Sequence, residues 1–109
     1  MEKLDTAILG WIAENTSSSE LREQISQAKV ARRDYMRTGF FVYFDLPEDI
    51  PPVQEGVRPG GPDILSAQLA FPAGSALFLR NGRLHYLEIF VRGGFFPQEL
   101  DEFTLAAPE

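Results

Sequence analysis

The sequence predicts an α+β fold: an N-terminal helical hairpin packed on a curled, antiparallel sheet of four to five strands. Three observations carry this. Apolar residues recur at helical spacing up to about residue 28. From Val30 they give way to dense aromatic and β-branched runs. Near the end of the chain they flank Asn81-Gly82, a pair suited to a two-residue hairpin turn. With 109 residues, one core and a single domain are expected.

Leu4, Ala7, Ile8, Trp11 and Ile12 fall at i, i+3, i+4, i+7 and i+8, one stripe of a helix. The polar run from Asn15 to Ser19 interrupts it, because short polar side chains compete for backbone hydrogen bonds. Ser17 and Glu20 stand at capping-box spacing and open a second helix, with Leu21, Ile25 and Ala28 on its apolar side. Arg22, Glu23, Gln24 and Gln27 are expected on its solvated side. The helices occupy about residues 2–28.

Strands are expected over about 30–46 and 64–92. The first region holds Phe40-Phe41-Val42-Tyr43-Phe44 after a Thr38-Gly39 turn, with residues 30–36 as the other arm of a hairpin. Pro47 to Asp63, with five prolines, three glycines and four acidic residues, is a long loop, 47–63. Beyond it Leu65, Ala67, Leu69 and Phe71 alternate with Ser66, Gln68 and Ala70, the period of a half-buried strand. Ser75 to Arg80 and Arg83 to about Arg92 form the hairpin around Asn81-Gly82. Gly93-Gly94 ends it, and the tail 93–109 carries Phe95, Phe96, Leu100, Phe103 and Leu105 as anchors.

Composition excludes several function classes. Ten basic against sixteen acidic side chains give a net charge of −6, which argues against a nucleic-acid partner. No apolar run is long enough to span a membrane, and the first residues lack the pattern of a signal peptide, so a cytoplasmic protein without a membrane partner is expected. With no cysteine and one histidine, thiol chemistry, disulfides and a metal centre have no ligand set, and no cofactor is expected. Phosphate-loop, dinucleotide-binding and nucleophile-elbow motifs are absent.

A tight Asn81-Gly82 turn pairs Phe78 with His85, Leu77 with Tyr86 and Ala76 with Leu87 in the simplest register. One face then carries Phe78, His85, Leu87 and Ile89, and the other Leu77, Leu79, Leu84, Tyr86, Glu88 and Phe90. Both are largely apolar, and two short helices cover only one. The second face therefore requires the loop, the tail, a curl of the sheet or a second chain.

His85 reads as a packed or interface histidine beside Phe78, and Glu88 as one half of an ion pair with Arg92 or a neighbouring arginine. Lys29, Arg32, Arg33 and Arg37, a net +3 with Asp34, are expected to neutralise the acidic loop and tail, the alternative being a site for an anion or an acidic partner.

Thr38-Gly39-Phe40-Phe41-Val42-Tyr43-Phe44, Leu77-Phe78, Gly82, Leu84 and Leu87-Glu88-Ile89-Phe90 followed by Pro97 resemble a family of small uncharacterised bacterial α+β domains. Those carry a TG-x-FF-x-F strand and an LF-x-x-x-G-x-L-x-x-LE hairpin. The resemblance covers about residues 30–97 and implies a fold but no active-site residue. A looser similarity is to cystatin-like folds, in which a curled sheet wraps a helix and pairs into dimers.

The expected function is non-catalytic: a protein-interaction domain, forming a homodimer or acting as an accessory, immunity-like binder of another protein. Phe41, Tyr43, Phe78 and Phe90 are the expected interface. The alternative is a small-molecule or enzymatic cavity within a curled sheet, lined by Glu88, Tyr86, His85 and Tyr43. No residue is assigned a catalytic role.

Overall fold

The computed structural model describes residues 2–108. Helices α1 (Glu2–Asn15) and α2 (Ser19–Gln27) precede strands β1 (Lys29–Met36), β2 (Gly39–Asp45), β3 (Asp63–Leu65), β4 (Gly74–Arg80), β5 (Arg83–Phe90) and β6 (Thr104–Ala106). Four strands form an antiparallel sheet in the order β1-β2-β5-β4, with β3 and β6 as a separate antiparallel pair. The fold is α+β, with both helices against the larger sheet. No helix among the described residues is long and apolar enough to cross a membrane.

The helical stripe is as the spacing requires: Leu4, Ile8 and Ile12 of α1 and Leu21 of α2 are buried. The cap of α2 is Ser18 rather than Ser17. Its Oγ accepts the Leu21 N–H at 3.1 Å, while Thr16 Oγ1 takes the Ser18 N–H and closes a turn around Ser17.

Gln24 departs from the expected solvated side of α2, because it is fully buried. Its Nε2 donates to the carbonyls of Pro51 at 2.9 Å and Gly82 at 2.8 Å, and its Oε1 accepts the Leu84 N–H at 2.9 Å. One amide thus joins the helix, the long loop and the β4–β5 turn. A buried amide is tolerated only when its polar atoms are satisfied, as they are here.

The β4–β5 turn has the expected form, with Asn81 at φ 54° and Gly82 at φ 75°. The register beyond it differs from the simplest one. Leu79 faces Leu84, but Phe78 faces Tyr86, Leu77 faces Leu87 and Ala76 faces Glu88. His85 is the extra residue of a β-bulge, so two residues of β5 oppose one of β4. The bulge resolves a conflict of phase. Without it, Leu84 would lie on the opposite face from Leu87 and Ile89; with it, all three are buried together with Leu77.

Residues 66–71 are not a strand. Pairing stops at Leu65, and the chain turns back, with the Leu69 N–H on the Ser66 carbonyl and a bridge between Ile64 and Ala73. Ile64 and Leu69 are buried, whereas Leu65 and Phe71 are exposed, so the alternation over 65–71 reflects no sheet face. The tail holds a strand that alternation did not reveal, β6, short and paired only with β3. Phe96 and Leu100 anchor the tail in the core, Phe103 and Leu105 pack at its margin, and Phe95 is exposed.

Asp5 on α1 is buried and meets Arg33 on β1. Arg33 Nε and Nη2 both reach Asp5 Oδ2, at 2.6 and 2.5 Å, and Oδ1 is buried without a partner among the described residues. Burial pushes the Asp5 carboxyl above its usual range; the hydrogen bond and charge of Arg33 oppose the shift without cancelling it. Since the folded state then holds this proton more tightly than the unfolded chain, the contribution of Asp5 to stability falls as pH rises through its folded pKa.

Two outcomes follow. Gln24→Leu leaves the buried Leu84 N–H without a partner, removes the tie to the Pro51 carbonyl, and lowers stability by about 1–3 kcal/mol in chemical denaturation; an unchanged midpoint would show that water replaces the amide. For Asp5→Asn, melts from about pH 4, the ordinary aspartate range, up to neutral pH should show the parent losing ground to the variant as pH rises. A constant difference would contradict the raised carboxyl.

Candidate functional site

The core is assembled on one face of the large sheet. Phe40 and Val42 of β2, Leu77 of β4 and Leu84, Leu87 and Ile89 of β5 join Leu4, Ile8, Ile12 and Leu21 of the helices, Val53 of the loop and Phe96 and Leu100 of the tail. Phe40 and Phe96 pack edge to face at 5.5 Å. Helices, loop and tail therefore all serve the same side.

The opposite face is a grid fixed by the ladder. Across β1, β2, β5 and β4, one row reads Arg32, Tyr43, Tyr86, Phe78; the next Asp34, Phe41, Glu88, Ala76; the third Met36, Gly39, Phe90, Gly74. Its rings touch one another. Phe78 stacks on Tyr86 at 4.6 Å, Phe41 meets Tyr86 at 5.6 Å, and Tyr43 lies 5.8 Å from Tyr86. The Arg32 guanidinium lies over the Tyr43 ring at 4.2 Å. Phe78 and Met36 are 39% and 51% exposed, and the other rings are half-buried by their neighbours.

All four residues of the expected interface, Phe41, Tyr43, Phe78 and Phe90, share this face. The alternative ligand set comes together there too, since the bulge turns His85 to the same side: its ring lies 5.1 Å from Tyr86 and 6.2 Å from Tyr43. Its neighbours are thus the two tyrosines, whereas the simple register paired it with Phe78.

Glu88 sits in the middle row with no ion pair or hydrogen bond among the described residues. The pair with Arg92 is not formed. Because β5 ends at Phe90, Arg92 reaches past the sheet to Asp63 at 3.0 Å and to the Pro72 carbonyl at 3.1 Å. Among the described residues, the basic stretch forms no ion pair with the loop or the tail. Arg33 is held by Asp5, Arg32 by Asp34 at 3.2 Å, and Arg37 lies over the Phe95 ring at 4.9 Å.

Volume separates the two uses of the face. The cleft beside Glu88, between Met36, Phe41 and Phe90, holds about 60 Å³. That is room for one or two waters, far below the roughly 300 Å³ at which small-molecule sites begin. Larger hollows of about 530 and 420 Å³ lie beside the β3–β6 pair and beside the Asn81-Gly82 turn, and neither is lined by His85, Tyr86, Glu88 or Tyr43. Among the described residues, no three acidic or histidine side chains are placed to hold a metal ion.

Arg32 and Asp34 border the aromatic rings, a placement that the basic stretch from Lys29 to Arg37 does not by itself reveal. The signal was the Thr38-Gly39 turn: once β1 pairs back on β2, alternation places both beside Tyr43 and Phe41.

Comparison with models of known families, with curated proteins and with solved structures finds no match.

With no ion pair to lose, Glu88→Gln should leave the melting temperature at neutral pH unchanged or slightly raised. A loss of more than about 1 kcal/mol would mean that the carboxylate has a counter-charge in solution.

Proposed function

We infer that this chain is a non-catalytic protein-interaction domain whose docking surface is the open face of its four-stranded sheet, self-association being its first form. The observation that carries the reading is the one-sidedness of the fold. Two helices, the loop and the tail all pack on one face, and the other keeps Phe41, Tyr43, Phe78, Tyr86 and Phe90 together. A contiguous aromatic patch on a soluble chain marks an interaction surface, and tyrosine and phenylalanine are the residues enriched in such surfaces. The cleft at Glu88 is too small to favour a substrate.

The edges of the sheet support docking by the face rather than by strand addition. Strand β1 is exposed along its length and carries Lys29, Arg32, Arg33 and Asp34, the charges that natural edges use to resist pairing. The β4 edge is partly covered by Gly60, which bridges to Ala76.

Light scattering at micromolar concentration tests the reading. The apparent mass of the parent should rise with concentration from the 12.2 kDa chain mass towards twice that value, and Phe78→Glu should run as a monomer with its thermal melt retained. A parent that is monomeric throughout, or a dimer that tolerates Phe78→Glu, would remove the support for docking by this face.

A further inference from the structure

We propose that the occupant of the open face is a second copy of the chain, packed sheet on sheet about a two-fold axis that crosses the strands between the Tyr43–Tyr86 row and the Phe41–Glu88 row. This rests on the reading above and gives it an arrangement. The argument comes from the grid. A two-fold axis running across the strands sets each strand above its own copy and exchanges the two rows.

Four oppositions result, one for each strand. On β1, Arg32 meets the partner's Asp34 and Asp34 meets the partner's Arg32, one pair on each side of the axis at its β1 end. On β2, Tyr43 meets the partner's Phe41. On β5, the Tyr86 hydroxyl, which has no hydrogen-bond partner among the described residues, can donate to the unpaired carboxylate of the partner's Glu88. On β4, the Phe78 ring lies over the partner's Ala76, a large side chain against a small one.

The competing face-to-face arrangement is worse at the same positions. An axis along the strands sets β2 over β5 and β1 over β4. It places Glu88 beneath the partner's Phe41 and Arg32 above the partner's Phe78, burying a carboxylate without a partner. Charge and size complementarity together select the axis across the strands.

The size of the patch sets the affinity class. Four strands at about 4.8 Å and three rows at about 6.8 Å give roughly 400 Å² in plan. Even with the relief of the rings, this falls below the ~800 Å² per partner of stable complexes. The dimer is therefore reversible and concentration-dependent.

Two exchanges test the axis by sedimentation equilibrium across the micromolar range. Arg32→Asp and Asp34→Arg, each alone, should weaken dimerisation about tenfold by setting like charges together, and the double variant should recover it. Independently, Ala76→Phe should weaken the dimer by overfilling the row, and adding Phe78→Ala should restore it. Thermal melts of each variant keep loss of folding apart from loss of association. If Phe78→Glu abolishes the dimer but neither double exchange restores it, the axis is overturned while docking by the face stands. If the parent never dimerises, the reading beneath the axis fails with it.

Discussion

The bulge at His85 is the constraint on which the rest of the structure depends. A strand alternates its side chains strictly, so β5 cannot place both Leu84 and Leu87 in one core by alternation alone. The extra residue resets the phase. Leu84 returns to the core side, where its N–H is taken by the buried amide of Gln24. His85 joins Tyr86 on the other side, and the aromatic grid is continuous from Phe41 to Phe78. Core and open face are thus set by the same irregularity.

Gln24 extends that constraint into the loop. A loop as rich in proline as 47–63 cannot pair extensively with a sheet, because proline offers no N–H. It is held instead at a few points. The Pro51 carbonyl accepts from Gln24, the Val53 N–H donates to the Gly82 carbonyl at 2.7 Å, and Ile50 and Val53 are buried. The loop is thereby committed to the helical side of the sheet and is not free to cover the aromatic side. The tail is committed likewise, through Phe96 and Leu100 in the core and through the Tyr35 hydroxyl, which donates to the Phe96 carbonyl.

Electrostatics divides along the same lines. Asp5 and Arg33 tie α1 to the edge strand on the core side, with burial opposing the ion pair. On the open face, Arg32 and Asp34 remain largely solvated, and Glu88 has no ion pair among the described residues.

By itself the sequence determined the features that depend on local chemistry. Helical spacing gave the stripe from Leu4 to Ile12, the Asn81-Gly82 pair gave a turn with positive φ at both positions, and aromatic density gave β2. It also showed that two helices cannot cover two apolar faces, and it picked Phe41, Tyr43, Phe78 and Phe90, which do share one face. Tertiary structure decided what local chemistry leaves open. A bulge is chosen by which leucines a distant helix needs, so no residue near His85 announces it. Gln24 reads as a solvated residue until the turn and the loop arrive to satisfy its amide. Residues 66–71 alternate like a strand but turn back at Ser66, where the Leu69 N–H bonds the Ser66 carbonyl. Strand β6, three residues long, exists only because β3 offers it a ladder. These outcomes depend on partners far away in sequence, and the pairing of distant groups follows from the whole fold, which no local period encodes.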